Sequence, residues 1–352
     1  MNAKELIKPP DTAPPWEPGR PFHILALSGG GFRGLYTATV LKHLEEQLGA
    51  PLASRFDLIC GTSAGGLLAL GLAADIPAAD LQAMFQAHGS RIFGARRGWR
   101  RALGGMWTMA KHSPGGLRSV LQERFGDLTI GDLKRRVLIP TVNYSKGSGH
   151  FFKTPHAPLF YLDYKHRLVD VGLATAAAPT YFPLHQIGEE GVYADGGLVG
   201  NSPGLFGLHE AQHVLKVPRK PGSARVLAIG TMTLGATKRG ASGLDWGILH
   251  WRKALFDLVI SSQEQAVDSM LKHLLGADYM RIDDPATPDQ SRDIAALDMV
   301  TPQAIEVLTA RGTQAARRAL GDPAIKPFRD HVASAPVFYH GPNKTILGNL
   351  HA

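Results

Sequence analysis

Asp57-Leu58-Ile59-Cys60-Gly61-Thr62-Ser63-Ala64-Gly65-Gly66 closes one apolar run and opens another, with G-x-S-x-G at the junction. Phe56 to Cys60 reads as a short buried strand, and Ala64 to Ala74, rich in Ala and Leu, as a helix. A serine held on so sharp a strand-to-helix turn presents its Oγ to a carbonyl. Small residues two positions before and after it, Gly61 and Gly65, let strand and helix approach without Cβ clashes. Ser63 is therefore the candidate nucleophile, and a serine that merely caps a buried helix is the alternative. With 40 glycines in the chain, the five-residue pattern also arises by accident, so the flanking strand and helix carry the argument.

Upstream, the apolar strand His23 to Ser28 runs into Gly29-Gly30-Gly31-Phe32-Arg33-Gly34 and then a helix from Leu35 to Leu44. The N-terminal part is thus a βαβ unit with glycine turns at both strand ends. Its first turn matches G-x-G-x-x-G, the dinucleotide fingerprint, which wants an acidic residue about 20 positions on, at the end of the second strand. Glu45 and Glu46 lie in the helix instead, and the second strand ends in the serine turn. Exposed backbone N–H groups at a positive helix end serve an oxyanion equally well. Gly29, Gly30, Gly31, Arg33 and Gly34 are expected to form the oxyanion hole for Ser63, with Arg33 adding positive charge or fixing the loop. Further on, Gly191-Val192-Tyr193-Ala194-Asp195-Gly196-Gly197 is a short strand ending in an aspartate and two glycines. Taken alone it is either a carboxylate presented at a strand end or a hairpin turn.

Together, the glycine loop at 29–34, Gly61-Thr62-Ser63-Ala64-Gly65 and Asp195-Gly196-Gly197, in that order, resemble the patatin-like phospholipases over roughly residues 22 to 210. The resemblance implies a Ser–Asp dyad with Ser63 as nucleophile and Asp195 as its base, an oxyanion hole from the first loop, and hydrolysis of lipid esters with no catalytic cofactor. Leu27 to Ala38 and Ala194 to Pro203, with the overall length, are similar to the short bacterial patatin-like effectors of the antiphage systems called CBASS. That similarity implies an enzyme silent until a cyclic dinucleotide, commonly cyclic GMP-AMP made by a cognate nucleotidyltransferase, switches it on. It would then degrade the phospholipids of the host's inner membrane from the cytoplasmic side. Assembly into a homo-oligomer on activation is among the partners this allows.

A Ser–Asp–His chain order would also fit an α/β-hydrolase, and His209 and His213 follow Asp195. Their four-residue spacing on a helix expected at Gly207 to Leu215 is that of neighbours on one helix face, whereas a triad histidine usually sits on a loop. No H-E-x-x-H pattern surrounds them, and no Cys/His cluster has metal-ligand spacing.

The 352 residues, 44% hydrophobic and 19% charged, suit an ordinary globular protein, one α/β domain with additions. The expected division is an irregular arm at 1–20, a catalytic core at 21–240 and a mainly helical extension at 241–352 packed on the same core. The core is read as a three-layer α/β/α arrangement whose mostly parallel sheet has five or six strands. No apolar run approaches the roughly 20 residues that cross a bilayer, and Met1 to Arg20 lacks the apolar core of a secretory signal. The single cysteine, Cys60, leaves no intrachain disulfide and suits a reducing compartment.

A net charge of +8 favours anionic partners, among which charge does not choose. No DNA-reading element is identifiable. Arg91 to Arg101, continuing to Met106, Trp107 and Lys111, interleaves basic and aromatic residues. It reads as a mobile cover able to meet lipid headgroups or grip a cyclic dinucleotide, or else as a solvated basic loop. Ile130 to Arg135 and Trp246 to Gly276 read as helices, as does Thr301 to Gly321, with an edge strand near Asp278 to Asp284. Three functions stand: a nucleotide-gated lipid acyl hydrolase, a constitutive esterase of the same chemistry, and a catalytically silent ligand-sensing or scaffold protein.

Overall fold

The computed structural model describes residues 16–17, 19–94, 109–189, 191–232 and 248–345, with the side chains of 248–254, 256 and 257 outside that description. In chain order the main elements begin β1 (Phe22–Leu27), α1 (Gly34–Leu48), β2 (Leu58–Gly61), α2 (Ala64–Ala73), α3 (Ala78–Gly94), α4 (Gly115–Phe125) and β3 (Val137–Asn143). They continue with β4 (Ser148–Lys153), α5 (Leu168–Thr175), β5 (His185–Ile187), β6 (Gly191–Asp195), α6 (Gly197–Gly200), α7 (Gly204–His213) and β7 (Ala224–Ile229). The last third supplies α8 (Ile248–Leu275), β8 (Tyr279–Ile282), α9 (Pro288–Asp293), α10 (Pro302–Gly321) and α11 (Lys326–Asp330).

The strands form one sheet of eight in the order β5-β6-β3-β2-β1-β7-β8, with β4 paired to β3 off this path. The run β3-β2-β1-β7-β8 is parallel, while β4, β5 and β6 are antiparallel to their neighbours. The expectation of five or six strands falls short on two counts: β5 has only three residues, His185 to Ile187, too few for a periodic signal, and β8, expected near Asp278 to Asp284, joins the central sheet beside β7. Alternation along β1 builds the three layers. Leu25 and Leu27 face a core shared with α1, α2, α3, α4, α5 and α10, whereas Phe22, Ile24 and Ala26 face α7 and α8. Cys60, buried, belongs to the second face.

Two local expectations are corrected. Ile130 to Arg135 is not a helix but a short 3-10 turn at Ile130–Asp132, closed by a capping box between Thr129 and Asp132. Arg91 to Gly94 is not loop but the end of α3, whose buried Ala78, Leu81, Phe85 and Ile92 recur at helical spacing. Arg91 lies on its surface in an ion pair with Glu123, 2.7 Å between Nη2 and Oε1. The remainder of the expected cover, residues 95–108, lies outside the described residues, as do 1–15 of the N-terminal arm. Beyond residue 241, β8 extends the central sheet alongside β7 and α10 packs along α1.

At the end of the sheet where the parallel strands begin, Asp57 ties the segment at 331–334 to the start of β1. Its Oδ2 accepts the His23 amide at 2.9 Å and sits 2.8 Å from His331 Nε2, and its Oδ1 accepts the Ser334 amide at 3.2 Å. The His331 ring stacks on His23 with centroids 3.8 Å apart. Removing a buried carboxylate leaves these donors unpaired, so Asp57→Ala should lose about 2–4 kcal/mol in urea unfolding, and Asp57→Asn, which keeps an acceptor, about half of that.

Candidate active site

The site is made where two strands end against each other. Along Leu138 to Asn143, β4 occupies one edge of β3. On the opposite edge β2 pairs with Val137 and Leu138, and β6 arrives from the other direction to pair with Thr141 to Asn143. The C-termini of β2 and β6 therefore meet over Pro140, where a proline leaves no ladder N–H to satisfy. The Pro140 carbonyl instead accepts Thr175 Oγ1 at 2.8 Å, and the Ser63 amide donates to the same Thr175 oxygen at 3.0 Å.

Ser63 follows β2 and stands just before the first residue of α2, with φ 53° and ψ −123°. A left-handed φ at a residue with a Cβ is strained, and the packing around it must hold it there. A Cβ at Gly61 would strike the Gly65 carbonyl, and one at Gly65 would strike the Leu27 carbonyl, so both positions admit only glycine. Ser63 Oγ donates to Asp195 Oδ2 at 2.8 Å, and the Gly197 amide donates to Asp195 Oδ1 at 2.7 Å. Asp195 is not a hairpin turn: β6 ends there and α6 follows at Gly197. At Gly196 a Cβ would run into the Pro140 carbonyl.

Asp195 is 2% exposed, and burial pushes its carboxyl up to about 7 against the opposing pull of the Gly197 and Ser63 hydrogen bonds. Two donors thus compensate only part of the desolvation, and the carboxylate is a far stronger base than in water. Neither His209 nor His213 takes part. Their rings stack on each other at 4.3 Å on the exposed side of α7.

The first glycine loop closes the site from the other side. The Gly29 amide donates to the Asn201 carbonyl at 3.1 Å and the Phe32 amide to the Leu297 carbonyl at 2.7 Å. The Gly30 and Gly31 amides have no acceptor among the described residues. Gly31 has φ 58°, and a Cβ there would meet the Leu297 carbonyl. Gly34 opens α1 beside Ala64, the first residue of α2, so two positive helix ends converge near Ser63. Arg33 folds back on the loop, its Nε 3.5 Å from the Gly30 carbonyl, which favours fixing the loop over supplying charge to the hole.

A serine on a strained turn, a buried aspartate within hydrogen-bond reach and two unengaged amides at a helix start can perform acyl transfer. The profile of the family described as Patatin-like phospholipase matches residues 25–205, spanning all three motifs. The chain belongs to that family. Among curated proteins, this patatin-like chain is 63% identical over 325 residues to a cGAMP-activated phospholipase of Pseudomonas aeruginosa, covering 92% of this chain and 97% of that one. A cGAMP-activated phospholipase of Vibrio cholerae is 35% identical, with 83% and 90% covered. One of Escherichia coli is 34% identical, with 83% and 88% covered.

Sequence reasoning missed Thr175, Asn201, Thr231 and Leu297 as parts of the site. Asn201 lay in a motif already noticed, six places beyond Asp195, but the others come from elements whose approach only the sheet order determines.

The buried carboxyl has a consequence for stability. In the unfolded chain Asp195 loses its proton near the ordinary 3.8, whereas the folded state holds it to about 7. Folding is therefore penalised progressively as pH rises from about 4 to 7, by up to about 4 kcal/mol at the top of that window. Asp195→Asn, neutral throughout, should unfold at a higher temperature than the parent at pH 8, with the gain shrinking toward pH 4. Equal melting of the two proteins at pH 8 would mean that the carboxyl is not desolvated.

Proposed function

We propose that this patatin-like chain hydrolyses membrane phospholipids by a Ser63–Asp195 dyad and does so when cyclic GMP-AMP is bound. The 2.8 Å contact between Ser63 Oγ and the buried Asp195 carboxylate carries the chemical part. Asp195 Oδ2 takes the Ser63 proton as Oγ attacks the ester carbonyl carbon, and the negative charge passes to the carbonyl oxygen. The Gly30 and Gly31 amides receive that oxyanion, with the N-termini of α1 and α2 behind them. Collapse of the tetrahedral intermediate expels the alcohol, which takes the proton from Asp195. A water then gives its proton to Asp195, attacks the acyl-enzyme and releases fatty acid, and Ser63 recovers its proton.

One group serves as base in both steps, and its raised pKa supports that assignment. A carboxyl poised near 7 is ionised often enough to accept a proton and basic enough to draw one from a serine. Control by the cyclic dinucleotide rests on the 63% identity to the Pseudomonas enzyme, which extends over 97% of that protein and so beyond the catalytic motifs. In that role the chain receives its activator from a cognate nucleotidyltransferase, acts peripherally on the inner membrane and serves antiphage defence. No helix among the described residues is long and apolar enough to cross a membrane.

Fatty-acid release from phospholipid vesicles, with and without cyclic GMP-AMP, tests both parts. Ser63→Ala should reduce nucleotide-dependent release roughly ten-thousandfold or more and Asp195→Asn roughly a thousandfold or more. Release at the same Ser63-dependent rate without nucleotide would leave a constitutive lipase. In the active protein, kcat/KM should fall about tenfold per unit below pH 7 and level off above it, following ionisation of Asp195. An acid limb centred near 4 would assign the base elsewhere.

A further inference from the structure

The peptide unit joining Gly29 to Gly30 carries a carbonyl at one end and an amide at the other, and trans planarity points them in opposite directions. Whatever holds the Gly29 carbonyl therefore aims the Gly30 N–H. The Gly29 carbonyl accepts Asn201 Nδ2 at 2.9 Å and Thr231 Oγ1 at 3.3 Å, while the Gly29 amide donates to the Asn201 backbone carbonyl at 3.1 Å. Asn201 thus grips residue 29 through its side-chain nitrogen and its backbone carbonyl. Such a grip works only one way round, because Nδ2 donates and Oδ1 does not.

Glu264, on α8, settles which way. Its Oε1 accepts the second Nδ2 proton of Asn201 at 3.1 Å, so the carboxamide nitrogen lies between two acceptors and a flip would bring Oδ1 against both. We propose that Glu264 is a positioning residue of the oxyanion hole: it orients the Asn201 carboxamide, which fixes the Gly29 carbonyl and so directs the Gly30 N–H toward the developing oxyanion. The inference rests on the dyad reading above and adds a residue that lies beyond the matched span of 25–205.

The surroundings support a purpose beyond packing. Glu264 is 9% exposed, and a carboxyl so buried costs stability unless its environment compensates. Burial lifts its pKa above the usual carboxylate range, and the nearby Arg281 and Arg33 oppose that shift. Arg281 is itself anchored to Asp283 at 2.6 Å, and Asp283 accepts the Met232 amide at 3.0 Å, next to Thr231. The same helix reaches the Asp turn through Gln263 Nε2, which donates to the Leu198 carbonyl at 3.2 Å. The α8 helix therefore braces the oxyanion loop and the segment carrying the base at once.

The test compares Glu264→Ala, Glu264→Gln, Asn201→Ala and the Glu264→Ala/Asn201→Ala pair. Each full-length protein is assayed with cyclic GMP-AMP on phosphatidylethanolamine/phosphatidylglycerol vesicles, with Ser63→Ala as the blank. A second readout is the rate at which a fluorophosphonate labels Ser63, since its phosphoryl oxygen needs the same donors. Glu264→Ala should lower kcat and labelling by about 10- to 100-fold with KM within about twofold of the parent. Glu264→Gln, whose amide oxygen still accepts from Nδ2, should recover to within about threefold, and the pair should be no slower than Asn201→Ala alone. Should Glu264→Ala fail to fold, Glu264→Asp, which withdraws the carboxylate from Asn201 by one methylene, makes the same comparison. Parental kcat in the alanine variant, a glutamine variant as slow as alanine, or effects that multiply in the pair would each overturn the relay. Release that Ser63→Ala leaves unchanged would instead overturn the dyad reading, and the relay with it.

Discussion

The centre of this molecule depends on one constraint, that two strands must stop end to end along the same edge of β3. A strand interior at that point would bury its polar groups in the ladder. An interruption leaves a gap whose backbone groups need other partners. Pro140 removes the donor, and Thr175 Oγ1 occupies its carbonyl while accepting the Ser63 amide. Ser63, just past the end of β2, and Asp195, at the end of β6, then lie 2.8 Å apart. Helix α5, whose last residue is Thr175, is thereby as much a determinant of dyad geometry as the strands are.

The same gap explains the chemistry of Asp195. It is 2% exposed, so its carboxylate is deprived of water while receiving two donors, Gly197 N–H and Ser63 Oγ, among the described residues. A histidine-based triad shares the work by letting a carboxylate stabilise an imidazolium. Here Ser63 meets the aspartate directly, and in the proposed reaction the carboxyl must itself be basic enough. Desolvation supplies that basicity at a cost in stability, a trade between function and folding found where active sites hold perturbed groups.

The nucleophile turn was legible in the sequence because its requirements are local. Close approach of β2 and α2 demands glycine at 61 and 65, and both neighbouring runs declare their periodicity. The approach of Asp195 to Ser63 was legible only through its resemblance to a known motif, since nothing near residue 195 reveals that β6 runs antiparallel to β3 and ends opposite β2. The α3 helix went unread although Leu81, Phe85 and Ile92 carry its pattern, because the basic and aromatic residues after Arg91 drew the reading toward a loop. Thr175, Thr231 and Leu297 had no signal of their own: a hydroxyl at a helix end, a threonine after a strand and a leucine carbonyl become partners only through folding.

Residues far beyond the nucleophile motif also carry the oxyanion loop. The Phe32 amide ends on the Leu297 carbonyl, Gly31 adopts its left-handed φ against that same residue, and Gly29 is tied to Thr231 and, through Asn201, to Glu264. Asp298, adjoining Leu297, is held by His112 at 2.6 Å and by Lys111, just after the stretch between α3 and α4 that lies outside the described residues. Against burial, which raises it, these two ties pull the carboxyl of Asp298 below its usual range, to about 2, so it stays ionised at any pH at which Asp195 is ionised. The loop proposed to present two amides to an oxyanion is thus suspended between α8 on one side and the 297–298 segment on the other. A displacement of either support alters the direction of those amides without touching Ser63 or Asp195. The oxyanion loop is therefore open to events elsewhere in the chain through both supports.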